Sequence, residues 1–276
     1  MSILDLVFDP QKKQRKRRVM LYGVDGVGKT TFAASAPKPI FVPTEDGLMN
    51  IRGVKSLPVA KSFGQFWSYL DGLQDDPHQF QTLVIDSMDW LEKLIWKQVA
   101  ADKEVDSITD IPYGKGYDFA TDIWKALADK LEDINLQRDM WIIQIAHCQI
   151  ERFQDPTSEA YDRYSPRLHK FASAFLREWS DEVLFATYKT YIKSEEIGPK
   201  KKRTTGIGNG ERVLKTSARP AHLAKNRLNI PDEIPLSWPA YFQYADHPPE
   251  HHHEERTEEI SQEERSDAAE PETANA

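Results

Sequence analysis

Cysteine is almost absent from this chain: Cys148 stands alone among 276 residues. A single thiol excludes an internal disulfide framework and any Cys-x-x-Cys metal site, and it fits a reducing compartment. Long apolar runs are missing as well, since no stretch of eighteen occurs, and the start MSILDLVFDP lacks the charge order and cleavage pattern of a secretory leader. The expectation is a soluble, cytoplasmic protein without a membrane segment. Internal repeats are not found either. What is present is enough apolar material for a core, 39% hydrophobic with 11% aromatic residues, in a chain long enough to bury it.

The formal net charge of −8 is unevenly placed. Residues 246–276 hold eleven acids against two arginines, a balance of −9, which leaves +1 for the rest of the chain. This acidic tail has few apolar positions and is expected to be disordered; its HHH at 251–253 is assigned no metal. Positive charge gathers at Lys12, Lys13, Arg15, Lys16, Arg17 and Arg18, and again at Lys200, Lys201, Lys202 and Arg203. Such blocks are solvated arms or contacts to nucleic acid. The expected division is therefore a basic arm over 1–18, a core over 19–245 and the tail over 246–276.

Within the core, short β-branched or aromatic runs alternate with helical stretches, which predicts an α/β fold with a mostly parallel sheet flanked by helices. Strands are expected at VMLYG, PIFVPTE, SLPVA, FQTLVID, MWIIQIAH, EVLFATYKTYI and ERVLKTS. Helices are expected from Lys29 to near Pro37, over Phe63–Leu73, and over SMDWLEKLIWKQVA, DFATDIWKALADKLEDI and LHKFASAFLREW. In the third helix Trp90, Leu91, Leu94, Ile95 and Val99 share one face and read as core. The glycine- and base-rich segment from Glu195 to Gly210 reads as a mobile loop between two strands.

The stretch GVDGVGKTT, comprising Gly23, Val24, Asp25, Gly26, Val27, Gly28, Lys29, Thr30 and Thr31, matches G-x-x-x-x-G-K-[ST] between a strand and a helix. In that context the glycines let backbone N–H groups turn toward phosphate oxygens, Lys29 neutralises phosphate charge and the Thr30 hydroxyl can hold Mg²⁺. The strand TLVID delivers Asp86 at its C-terminal end, the ligand edge of such a sheet, where its carboxylate can reach the Mg²⁺ shell. No Asn-Lys-x-Asp element is present to select guanine.

The residue after Asp86 is Ser87, so a water-activating carboxylate has to come from another element. Glu45, at the end of PIFVPTE, resembles the catalytic glutamate of RecA-like ATPases, which lies at the end of the neighbouring strand; Asp46 is the alternative. Those ATPases carry a polar γ-phosphate sensor where this chain has His147, with Gln144 and Gln149 nearby.

Taken together, GVDGVGKTT, PTEDGL, TLVIDSMDWL, YGKGYD, YDRYSP and AKNRLNIPDEIPLSW resemble the phage nucleotide-binding proteins of the AAA/RecA-like P-loop class, including single-strand annealing ATPases related to RecA-type recombinases. The resemblance implies a RecA-like core, ATP and Mg²⁺ as cofactors, and ATP-dependent binding and pairing of single-stranded DNA in phage recombination, replication or repair, in the host cytoplasm. It further implies a homo-oligomer, ring or filament, with a single-stranded DNA-binding protein as a partner. Lys225 and Arg227 would be the basic pair inserted into a neighbour's ATP site. Arg152, Phe153, Tyr161, Arg163 and Tyr164 fall where RecA-like proteins place a DNA-facing loop, and aromatics there can stack on bases while arginines meet phosphates. Two other readings of the phosphate loop stay open: a small-molecule or nucleotide kinase, and a non-hydrolysing scaffold gated by ATP.

Overall fold

The computed structural model describes residues 15–49, 51–157, 159–198 and 201–245, and for residues 191–207 the backbone alone. The sheet is built on β1 (Arg18–Gly23), every residue of which is buried. Its apolar side chains alternate between two cores: Met20 and Tyr22 enter one, Val19 and Leu21 the other. A strand apolar on both faces is what a parallel sheet covered by helices requires. β1 lies between β5 (Trp141–Phe153) and β7 (Glu182–Gly198), parallel to both. Outward from β5 follow β4 (Thr82–Asp86), β2 (Pro39–Pro43) and the two-residue β3 (Lys55–Ser56), all parallel. On the other side β8 (Lys201–Lys215) and β9 (Glu233–Pro235) add antiparallel strands. β3 is shorter than SLPVA suggests, although the Leu57 and Ala60 N–H groups still donate to the Phe41 and Pro43 carbonyls of β2 at 2.9 Å.

One face of the sheet carries α2 (Phe63–Asp75), α3 (Met88–Asp102), α4 (Lys115–Arg138) and α5 (Lys170–Trp179), the other α1 (Lys29–Ala34) and α6 (Trp238–Ala245). α2 starts where the Ser62 side chain accepts the Gln65 N–H at 3.2 Å, and it buries Phe66, Leu70 and Leu73 at helical spacing. In α3 the stripe is narrower than the sequence suggests. Leu91, Ile95 and Val99 are buried, but Trp90 is 40% exposed, with Lys93 over its ring at 3.5 Å. No helix among the described residues is long and apolar enough to cross a membrane.

Two segments read as irregular are strands. β5 runs past the expected sensor end and pairs with β6 (Tyr161–Pro166) as an antiparallel hairpin. The ladder of β7 and β8 likewise continues through most of Glu195–Gly210, so this segment is a hairpin arm and not a loop. An arm of this kind rests on backbone hydrogen bonds and needs no apolar alternation, so its composition hides it.

The end of the basic block is not a free arm. Arg15 and Arg18 pair with Glu132 and Asp181, and Arg17 pairs with Glu182, while Lys12 and Lys13 lie outside the described residues. Arg18 and Asp181 are both buried, and stranding one buried partner costs about 3–5 kcal/mol. These arginines therefore hold the start of β1 to the bottom of the sheet. The tail 246–276 also lies outside the described residues.

Candidate active site

The three glycines of the phosphate loop are needed for different reasons. A Cβ on Gly23 would come within 2.1 Å of the Ala186 carbonyl oxygen, so this glycine lets β1 and β7 approach. Gly26 and Gly28 have φ of +70° and +108°, which side chains disfavour. The loop so formed brings Lys29 inward, where it is 7% exposed and donates to the carbonyls of Gly23 and Val24 at 2.9 and 3.0 Å. Burial lowers the Lys29 pKa, against the pull of Asp25 and Asp86. Thr30 donates its hydroxyl to Asp86 at 2.9 Å. Burial pushes the Asp86 carboxyl up to about 6, with the Thr30 hydrogen bond acting the other way. A hydroxyl and a carboxylate in contact beside a phosphate loop are the hard oxygen donors that Mg²⁺ takes, the rest of its shell being water and phosphate. Thr30 and Asp86 thus fit that ion.

Glu45 reaches the same place through the backbone. The Thr44 N–H donates to the Asp86 carbonyl at 2.8 Å, and the Thr44 hydroxyl bridges the Ser87 carbonyl and N–H at 2.6 and 2.9 Å. The segments following β2 and β4 are thereby zipped together. Glu45 then lines a cavity of about 300 Å³ with Gly26, Gly28, Lys29, Thr30, Thr31, Asp86 and His147. Asp46 is exposed and is not part of that wall. Of the remaining loop residues, Gly23 and Val27 are buried behind the cavity, Val24 is half-buried, and Asp25 stands at the rim, 3.8 Å from His147.

The His147 ring is held from behind by Asp89, at 3.1 Å from Nδ1, and its backbone N–H donates to the same carboxylate. Arg167 donates to Asp89 from the other side at 2.7 Å. Burial works against the Asp89 charge, but the hydrogen bonds from His147 and Arg167 outweigh it and keep the carboxyl below the usual range. The bond to Asp89 in turn raises the His147 pKa, against burial. A raised histidine stabilises the fold most below its unfolded pKa, and that contribution is lost as pH rises through the folded value. Asp89→Asn is expected to move the His147 imidazole titration to lower pH, read by NMR; an unmoved titration would mean that Asp89 does not set it. Sequence reading missed Asp89 and Arg167. Asp89 sits three residues after Asp86 inside an apolar stripe, and Arg167 is brought in only by the β5–β6 hairpin. Gln144 is no sensor: it is fully buried in mid-strand, donating to Ser180 at 3.0 Å.

A family model described as an AAA domain matches residues 15–228, which spans the loop, Asp86, His147 and the strands that carry them. The chain belongs to this AAA-domain family. Over 241 residues it is 25% identical to the SPbeta prophage-derived uncharacterized protein YorG of Bacillus subtilis (strain 168), covering 82% of this chain and 65% of that protein. The chain thus spans slightly less than two thirds of the length of this curated relative. A P-loop ATPase domain of AAA type, with a prophage protein among its relatives, agrees with the resemblance read from the motifs.

In this AAA domain the two members of the late basic pair differ in how far they are engaged within their own chain. Lys225 donates its ammonium to the carbonyls of Arg177, Glu178 and Ser180 at 3.1, 2.7 and 2.6 Å, closing the C-terminal end of α5. Arg227 lies 3.7 Å from Asp181. Both lie at the end of the sheet opposite the phosphate loop of their own chain, where Lys225 caps α5 and Arg227 stays 55% exposed. A cation that sequence reading missed stands nearer: a Cβ on Gly28 would come 3.1 Å from Arg212 Nη1. No spacing rule links the two, because β8 is far from the loop in the chain and its backbone pairs with β7 and β9.

The proposed DNA residues on the β5–β6 hairpin separate by face. Tyr164 stacks on Phe185 at 5.0 Å, and Arg163 is held by Glu151 at 2.7 Å and by the Phe153 ring at 3.8 Å. Arg152 pairs with Asp162 at 3.4 Å, both more than 60% exposed. Such a pair is worth less than about 1 kcal/mol and leaves the guanidinium available. Tyr161 is half-buried against Phe153. Lys200 and the side chains of Lys201, Lys202 and Arg203 lie outside the described residues.

Proposed function

We propose that this AAA domain hydrolyses ATP in a reaction stimulated by single-stranded DNA, in annealing or recombination of phage DNA. The observation that carries the hydrolytic reading is the convergence of Lys29, Thr30, Asp86 and Glu45 on one cavity. Thr30 and Asp86 would hold Mg²⁺, which when bound offsets phosphate charge. Lys29 leaves its loop carbonyls for the phosphates, Glu45 takes the proton of the attacking water, and His147 donates toward the terminal phosphate. Arg212 stands beside Gly28 in a neighbouring cavity with Phe32 and Trp238 and adds positive charge near the loop.

The DNA part is supported by the motif resemblance, by the prophage relative and by the exposed Arg152. On this reading the working form is a homo-oligomer on single-stranded DNA, with a single-stranded DNA-binding protein as partner. Steady-state ATP hydrolysis with and without single-stranded DNA tests it. A several-fold rise on adding the strand is expected. Turnover indifferent to DNA but dependent on a small phosphate acceptor would make the protein a kinase instead.

A further inference from the structure

A second cleft, of about 510 Å³, opens behind the nucleotide cavity and is walled by Trp90, Lys93, Trp96, Gln149, Arg167 and His169. A smaller cavity of about 270 Å³ shares Lys93 and Trp96 with it and adds Lys97, so the two form one groove along α3. The groove is mixed in character: cations line its rim, while Trp96, Leu168, Ala100 and Ile108 give it apolar patches. Lys93 and Lys97 are exposed one helical turn apart. Among its acids, Asp89 is already shared by Arg167 and His147, Asp106 lies at the far end, and the Glu92 carboxylate accepts the His169 N–H at 3.0 Å. Burial pushes Glu92 up to about 7, against the His169 hydrogen bond, so its negative charge is partial near neutral pH.

The aromatic groups are placed for contact. Trp90 is 40% exposed under Lys93, and Trp96 is half-buried with its ring at an edge to Tyr117. From Trp90 to Lys97 the helix rises about 10 Å, which covers two to three bases stacked at about 3.4 Å.

We infer that this groove binds single-stranded nucleic acid, with bases against Trp90 and Trp96 and phosphodiesters on Lys93 and Lys97. Indole faces alternating with cations are the combination that holds a single strand without reading its sequence. Four cations, Lys93, Lys97, Arg167 and Lys103 beyond the groove's end, are not needed by an amphipathic peptide but suit a polyanion, so the strand is the occupant the charges favour. The inference rests on the nucleic-acid reading above and gives it a site that the motifs did not point to. It also places the strand next to Asp89, the carboxylate that orients His147 in the nucleotide cavity.

The test is fluorescence anisotropy of labelled oligothymidylate and oligouridylate with the full chain, for the wild type, Lys93→Glu/Lys97→Glu, Trp90→Ala and Arg152→Ala. The charge-reversed double variant is expected to bind about tenfold or more weakly, with a salt dependence flatter by about 1.4 in log–log slope for two lost phosphate contacts. Trp90→Ala is expected to weaken binding at all salt concentrations, and basal ATP hydrolysis should be unchanged in the double variant. Wild-type binding left intact by the groove variants but lost in Arg152→Ala would put the strand on the hairpin, overturning the groove and leaving the DNA-stimulated reading in place. A wild type that binds neither oligonucleotide would overturn both.

Discussion

Lys29→Ala is expected to lose nucleotide binding by about 3 kcal/mol, roughly a hundredfold in Kd, and to lose measurable ATP hydrolysis with it. The size follows from where the ammonium sits. It is 7% exposed, and its present partners are two carbonyls of its own loop, at 2.9 and 3.0 Å. Burial already disfavours its charge, so a phosphate that replaces those carbonyls meets a cation with little water to screen it. Without the cation, phosphate oxygens face the Asp25 and Asp86 carboxylates uncompensated. The fold should survive, because the ammonium's hydrogen bonds go to the carbonyls of its own loop and hold no other element. Thermal unfolding without nucleotide is therefore expected to change little, while the rise in Tm that Mg²⁺ and ATP give the wild type should disappear. A variant that still gains stability from ATP would remove Lys29 from the phosphate site.

Glu45→Gln is expected to lower turnover by about 10²–10⁴-fold while leaving ATP binding within a small factor of the wild type. Glutamine keeps the size of the side chain and its place on the cavity wall but cannot accept the proton of water. The Thr44 bonds to Asp86 and Ser87 hold position 45 through the backbone, so the substitution should not move it. Asp46→Asn serves as the control: that side chain is exposed and off the cavity wall, and its activity should be close to the wild type. If Glu45→Gln hydrolyses ATP normally, another carboxylate activates water. If Asp46→Asn is the variant that fails, the alternative left open by the sequence is the right one.

Much of the site was legible because its elements are local. Gly23 to Thr31 is one contiguous motif, and the apolar run Thr82–Ile85 announces both a buried strand and the acid at its end. The helices α2 and α4 were legible for the same reason, since a helix that packs on a sheet repeats its apolar residues every three or four positions. Errors arose where a strand carried no such signature. The β5–β6 and β7–β8 hairpins extend beyond the core and are held by their ladders, so polar and glycine-rich segments looked like loops. Trp90 was misjudged because the apolar stripe of α3 is narrower than the run of apolar residues.

From the sequence alone come the phosphate loop, Asp86, the α/β class and Glu45 as a candidate. These depend on residues close in the chain or on strand ends, whose position in a parallel sheet is set by the fold class. The neighbours of those residues were decided only by the tertiary structure. Asp89 and Arg167 are 78 positions apart and meet at 2.7 Å, and Lys225 reaches back 45 to 48 positions to the end of α5. Ion pairs and caps between distant segments leave no periodic trace, because a single charged residue can find its partner from any of several elements. The sequence therefore names the candidate groups of the phosphate-loop cavity, while the packing of β5, β6 and α5 determines which charges stand behind them.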